Sequence, residues 1–160
     1  NAAGRPMINS VGNPKLVING TALDYLAESC MAGDPLDGGG FVLINGIEFT
    51  SEGEIMAMET PYPGGNLFSL SSGGAIYVRD PHNRLSSSQL NGGDFVDLTE
   101  EDWSILEPLL VENEHHFGIP LARLLTVDGE LCAPASVYRK IIPLKNKALS
   151  VEDGWAAKHD

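Results

Sequence analysis

Three times along this chain a turn rich in Gly or Pro runs into three or four apolar, β-favouring residues and leaves through a short polar exit. The copies are Pro14-Lys15-Leu16-Val17-Ile18-Asn19-Gly20, Gly38-Gly39-Gly40-Phe41-Val42-Leu43-Ile44-Asn45-Gly46 and Ser72-Gly73-Gly74-Ala75-Ile76-Tyr77-Val78-Arg79-Asp80. With the exits at Gly20, Gly46 and Asp80 aligned, the copies lie 26 and 34 residues apart. Separations of this size belong to repeats that stack into solenoid-like arrays. The pattern predicts strands over Lys15 to Ile18, over Phe41 to Phe49 with a break at Asn45-Gly46, and over Ala75 to Val78. Asn45-Gly46 suits either a tight hairpin turn or a sharp corner.

Between and after the copies the periodicity changes. Leu23, Leu26, Ala27 and Cys30 recur at helical spacing behind Thr21, a residue fit to cap, so Thr21 to Met31 is expected to form a short helix. Glu54 to Thr60 and Asn66 to Leu70 read as further strands, separated by the corner Pro61-Tyr62-Pro63-Gly64-Gly65, where Pro removes a donor and Gly adds freedom. Past Asn91-Gly92-Gly93 the pattern turns helical. Asp94 to Leu98 is a last strand of the array, and Thr99-Glu100-Glu101-Asp102 has the form of a helix start, with Thr99 as cap, Asp102 reaching back and acids in the positive first turn. Trp103, Leu106, Leu110 and Phe117 mark its apolar stripe, Gly118 its end and Pro120 the opening of a second helix through Leu125. Asp128-Gly129 is a turn, and Val137 to Leu144 is expected to add a closing strand. The chain thus divides into an extended lead-in (1–13), a core of stacked β coils (14–98), a helical segment with a closing strand (99–144) and a weakly ordered tail (145–160).

Composition narrows the functions open to such a chain. At 160 residues, 42% apolar and 20% charged, it has the makings of one ordinary domain. Ten basic against 22 acidic residues give a net charge of -12, which repels phosphate backbones and anionic lipid and argues against nucleic-acid and membrane roles. Cys30 and Cys132 are the two cysteines, far apart and without metal-ligand neighbours, so reduced thiols in the cytoplasm are expected, with a disulfide left open. No charged, apolar leader is visible in the first residues.

Candidate chemistry is sparse. Glu112, His115 and His116 share a helical turn at metal-ligand spacing, but the signal is weak, and a solvated helix end at which His suits the negative dipole is the better account. Cys30 is expected to be a small buried residue, since no base is placed beside it. Glycines that bind phosphate precede helices, whereas here they precede strands. Gly38, Gly39, Gly40, Gly46, Gly64, Gly65, Gly73 and Gly74 therefore read as structural corners. Arg79-Asp80 is expected to be a surface ion pair or a carboxylate-recognition pair, and Tyr138-Arg139-Lys140 either a solvated strand edge or a docking spot for an acidic partner. No catalytic, cofactor-binding or metal-binding residue is assigned.

The glycine-led strands Gly38 to Gly46 and Ser72 to Val78, with the downstream acidic helix and Val137-Tyr138-Arg139-Lys140-Ile141-Ile142-Pro143, resemble the carboxy-terminal GXGXG domain of the glutamate synthase large subunit, which also occurs as a separate chain in archaeal-type enzymes. The resemblance runs from about Leu16 to Pro143. It implies a mainly β fold, a short or divergent right-handed parallel β-helix with an α-helical carboxy-terminal segment. It further implies a non-catalytic structural role in a multi-subunit oxidoreductase of nitrogen metabolism. FMN and an iron-sulfur cluster would then sit on partner chains, the amidotransferase and flavin synthase chains, and not on this one. Self-association is a further way to cover the ends of the array. A separate possibility is an independent small-molecule binding protein or enzyme with a cleft between the β core and the helix at 99–117.

Overall fold

The computed structural model describes residues 14–28, 30–31, 33–68 and 71–144. In chain order its strands are β1 (Lys15–Ile18), β2 (Phe41–Ile44), β3 (Ile47–Phe49), β4 (Ile55–Ala57), β5 (Ala75–Arg79), β6 (Gly93–Val96), β7 (Thr126–Val127), β8 (Glu130–Leu131) and β9 (Tyr138–Pro143). The helices are α1 (Glu100–Phe117), α2 (Leu121–Leu125) and α3 (Pro134–Val137).

The three copies seen in the sequence become β1, β2 and β5. These pair in parallel, and the register is the one that aligns the copies: Lys15, Phe41 and Ala75 are level, as are Ile18, Ile44 and Val78. The central sheet has the order β1-β2-β5-β9-β6. All of β2 and β5 is buried, as expected of strands covered on both faces. Alternate residues serve two cores. Phe41, Leu43, Ala75 and Tyr77 pack with Leu106, Leu110, Ile119, Leu124 and Val137 of the helical layer. Val42, Ile44, Ile76 and Val78 pack with Tyr62, Leu67, Phe68, Leu85 and Leu90 from the segments that return between strands.

These returning segments correct the expected architecture. The protein is a small mixed α/β fold, and no sheet closes or winds into a solenoid among the described residues, so the predicted parallel β-helix does not form. Two causes are visible. The segments between strands meet through backbone bonds, among them Tyr25 N to Gly65 O, Ala27 N to Leu67 O, Leu67 N to Gln89 O and Phe68 N to Leu90 O, but form no strand there among the described residues, and Pro61 and Pro63 have no N–H to give to one. Then β9 comes back antiparallel and seats itself between β5 and β6, which ends the parallel series.

Other expectations change for similar reasons. The helix predicted over Thr21 to Met31 is a turn at Leu26 to Glu28, because Tyr25 N and Ala27 N donate to Gly65 O and Leu67 O of the neighbouring segment, which leaves the segment only turn bonds on itself, Glu28 N to Tyr25 O and Cys30 N to Ala27 O. Leu67 and Phe68 are likewise a turn and not a strand; Ser69 and Leu70 lie outside the described residues. Asn45-Gly46 is a corner and not a hairpin, since β3 pairs with β4 and leaves β2 to its parallel neighbours. Phe117, expected on the apolar stripe, is 66% exposed. The helix start is as read: Thr99 Oγ1 accepts from Asp102 N, and Asp102 accepts from Thr99 N. The predicted lead-in and tail lie outside the described residues.

Candidate functional site

Two polar networks fix the sheet against α1. At the exits of β1 and β2, Asn45 Nδ2 donates to Asn19 Oδ1 at 2.8 Å, and Asn19 exchanges amide bonds with Asn113 of α1 at 2.8 and 3.0 Å. Tyr138 Oη closes the chain by donating to Asn45 Oδ1 at 2.8 Å. Asn19→Ala would strand amides on both neighbours, so unfolding in urea should show a loss of about 1–3 kcal/mol.

The second network surrounds Asp102, which is fully buried. Its Oδ1 accepts from Tyr77 Oη at 2.6 Å and Lys140 Nζ at 2.7 Å. Burial by itself would push this carboxyl up, but the hydrogen bonds from Lys140, Tyr77 and Thr99 outweigh it and hold the group below its ordinary value. Burial, with the hydrogen bond to Asp102, pushes the Tyr77 hydroxyl up.

The predicted pairs sort themselves by face. Arg79 and Asp80 do not pair with each other. Asp80, 2% exposed, accepts from Arg139 Nη1 at 3.0 Å and from the backbone of Arg84 and Leu85, whereas Arg79 donates to the carbonyls of Leu124 and Thr126. Tyr138-Arg139-Lys140 is neither a solvated edge nor a docking spot. It lies on β9 inside the sheet, with Arg139 stacked 3.5 Å from the Phe95 ring centroid and Lys140 on Asp102.

Among the glycines read as corners, Gly38, Gly46 and Gly74 have positive φ. Gly64 and Gly73 instead allow close approach: a Cβ would lie 2.7 Å from the Leu23 carbonyl carbon and 2.9 Å from the Gly33 nitrogen, respectively. Gly39 and Gly40 precede β2, with Gly40 buried, and Gly65 N donates to Asp24 Oδ1. Cys30 is 4% exposed in the core beneath the returning segments, whereas Cys132 packs on the helical side, so the sheet separates the two cysteines. His116 lies 3.5 Å from Glu112 on an exposed face, and no group of three or more His, Cys, Asp or Glu that could hold a metal occurs among the described residues.

The cleft considered between the sheet and α1 is filled, since Leu106 and Leu110 are fully buried against the strands. Among the described residues the central sheet ends in two outer strands, β1 and β6. One side of β1 has no strand beside it among the described residues, and its residues Leu16, Val17 and Ile18 are only half-buried. The returning segment next to it is outermost in its own layer and carries Leu23 (71% exposed), Tyr25 (40%) and Met31 (68%). Tyr25 is held at φ 62, a region bulky residues rarely enter, at a cost of about 1–3 kcal/mol. An open parallel edge flanked by apolar side chains is a surface that native proteins ordinarily cover. Among the described residues no helix is long and apolar enough to cross a membrane. Compared with family models, with curated proteins and with solved structures, the chain matches none.

Proposed function

We propose that this chain is a non-catalytic structural domain or subunit of a glutamate synthase-like multi-subunit oxidoreductase, and that its β1 end docks against the amidotransferase or flavin synthase chains. FMN and the iron-sulfur cluster belong to those partners. The observation that carries the reading is the unpartnered β1 edge, among the described residues, with Leu23, Tyr25 and Met31 exposed beside it. Two further features support it. In the polar networks around Asp102, which is buried, and Asn19, which is half-buried, no buried side-chain nitrogen or oxygen lacks a hydrogen-bond partner, as suits a rigid spacer. The glycine-led strands that resemble the GXGXG domain are also the ones that pair in the register of their sequence alignment.

A partner strand would add backbone hydrogen bonds to β1, as in β-augmentation, and would bury the flanking apolar side chains. The test is co-expression with the amidotransferase and synthase chains of a split glutamate synthase, followed by native mass spectrometry. A defined complex is expected, and Leu23→Glu with Met31→Glu should dissolve it while leaving the melting temperature of the isolated chain nearly unchanged, because both residues are exposed. A chain that stays strictly monomeric with those partners at every ionic strength would overturn the reading.

A further inference from the structure

At the carboxy-terminal ends of β2 and β5 there is a cavity of about 300 Å³, walled by Gly46, the β4 strand, Arg79 and the turn after α2. Its size is at the small end of the range of ligand clefts, and the carboxyl ends of parallel strands are where α/β proteins commonly bind small molecules.

Its three arginines are unusual in a chain with a net charge of -12, and three acids, Glu59, Asp80 and Asp128, line it with them. Arg79, Arg84 and Arg123 all line it, and none has an ion pair among the described residues. Arg79 is only 7% exposed. Its Nε donates to Leu124 O at 2.7 Å and its Nη2 to Thr126 O at 3.0 Å, so carbonyls orient the fork but supply no counter-charge. Buried charges are ordinarily paired. Arg123 is fixed by a bond from its Nη2 to Ile55 O at 2.9 Å, and Arg84 is exposed.

The acids nearby leave that charge unanswered. Asp80 is committed to Arg139 and to two backbone amides. The Asp128 side chain is 81% exposed and faces His82 at 3.8 Å. Glu59 is exposed at the wall.

We propose that this cavity binds a small molecule through an oxyanion group, a carboxylate or a phosphate, with Arg79 gripping it from the buried wall and Arg84 and Arg123 closing on it from the rim. Guanidinium groups match either oxyanion by paired N–H donors. The site lies in the isolated chain, so its test is independent of any docking partner.

The experiment is calorimetric and NMR titration of the full chain with sodium succinate and with inorganic phosphate, against sodium chloride at matched ionic strength. Saturable binding of at least one oxyanion in the millimolar range or tighter is expected, with amide shifts centred on Arg79 to Arg84 and Arg123 to Gly129. Binding of succinate alone identifies a carboxylate ligand, of phosphate alone a phosphate ester, and of both an oxyanion head without further selection. Arg84→Ala and Arg123→Ala should each weaken binding about tenfold, the loss of one charge-assisted hydrogen bond. Lys15→Ala, on β1, should leave it unchanged. The Arg84 side chain is exposed, so its variant stays folded, which its melting curve checks. Absence of saturable binding by either anion, or equal affinity in the two arginine variants and the native chain, overturns the proposal.

Discussion

Asp102→Asn should destabilise the protein by about 3–5 kcal/mol at neutral pH, the usual cost of removing one partner from a buried ion pair. The side chain keeps its shape in this variant, so the loss reports charge and not volume. Lys140, 7% exposed, would keep its ammonium group inside the sheet with no carboxylate to meet it. Tyr77 and Thr99 would lose their charged acceptor at the same time. Adding Lys140→Met should recover much of the loss, because replacing both members of a buried pair with neutral groups is often close to neutral in effect. Urea unfolding of the single and double variants decides the matter. The effect also has a sign with pH. A carboxyl held below its ordinary value of 3.8 contributes stability that is fully present above that value and is lost as the pH falls through the lower folded value. The gap between the native chain and Asp102→Asn should therefore be widest at neutral pH and shrink in acid below the ordinary value. A gap that stayed constant to the acid limit would mean the carboxylate charge is not what stabilises this junction.

That junction also shows what the sequence can and cannot convey. Thr99 and Asp102 are legible as a cap because capping is local, needing only residues three apart. The second role of Asp102, as the acid that meets Tyr77 and Lys140, depends on β9 lying beside β5, and no short-range signal announces that neighbour. The same holds for the fold. The repeated turn, strand and exit predict three strands and, through their alignment, the register in which they pair. The segments that leave the strands are less legible, since apolar residues at helical spacing in Thr21 to Met31 are equally served by a stretch that packs on Leu67 and bonds to it. The solenoid fails where an antiparallel strand from the carboxy-terminal region enters the sheet, a non-local event. Arg79 and Asp80 carry a signal that a pairwise reading misses. Successive residues of a strand point to opposite faces, so an ion pair between them is the less natural arrangement. The alternation places Arg79 with the helical layer and the cavity, and Asp80 with Arg139. The β1 edge, unpaired on one side among the described residues and the basis of the proposed function, is legible in the sequence only as the general need of a repeat to be covered.

Among the glycines read as corners, Gly46 combines a positive φ with a close neighbour and should be hard to replace. Gly46→Ala is expected to cost about 2–4 kcal/mol, from a left-handed backbone and an overpacked contact acting together. Its φ is 58, and an added Cβ would lie 2.8 Å from Pro61 Cβ and 2.9 Å from Pro61 Cα. Pro61 has no flexible end to swing aside, so the backbone itself must shift. That backbone is already committed, because Gly46 N donates to Gly20 O at 3.0 Å and Met58 N donates to Gly46 O at 2.8 Å. The control is Gly53→Ala. Gly53 has φ 83 with nothing within 4 Å of an added Cβ, so it should show the backbone penalty alone, about 1 kcal/mol. The difference between the two variants in urea unfolding isolates the steric part. Equal losses would show that Gly46 serves only as a left-handed hinge and that the corner has room for a side chain. A larger loss at Gly46 would mean that the corner is held by contact, with the first two copies locked together at Gly20 and Gly46 where their exits align. Gly46 also lines the cavity beside Arg79, so the same variant should weaken oxyanion binding if the wall moves with Pro61, and a native-like affinity would show that the shift is absorbed elsewhere in the loop.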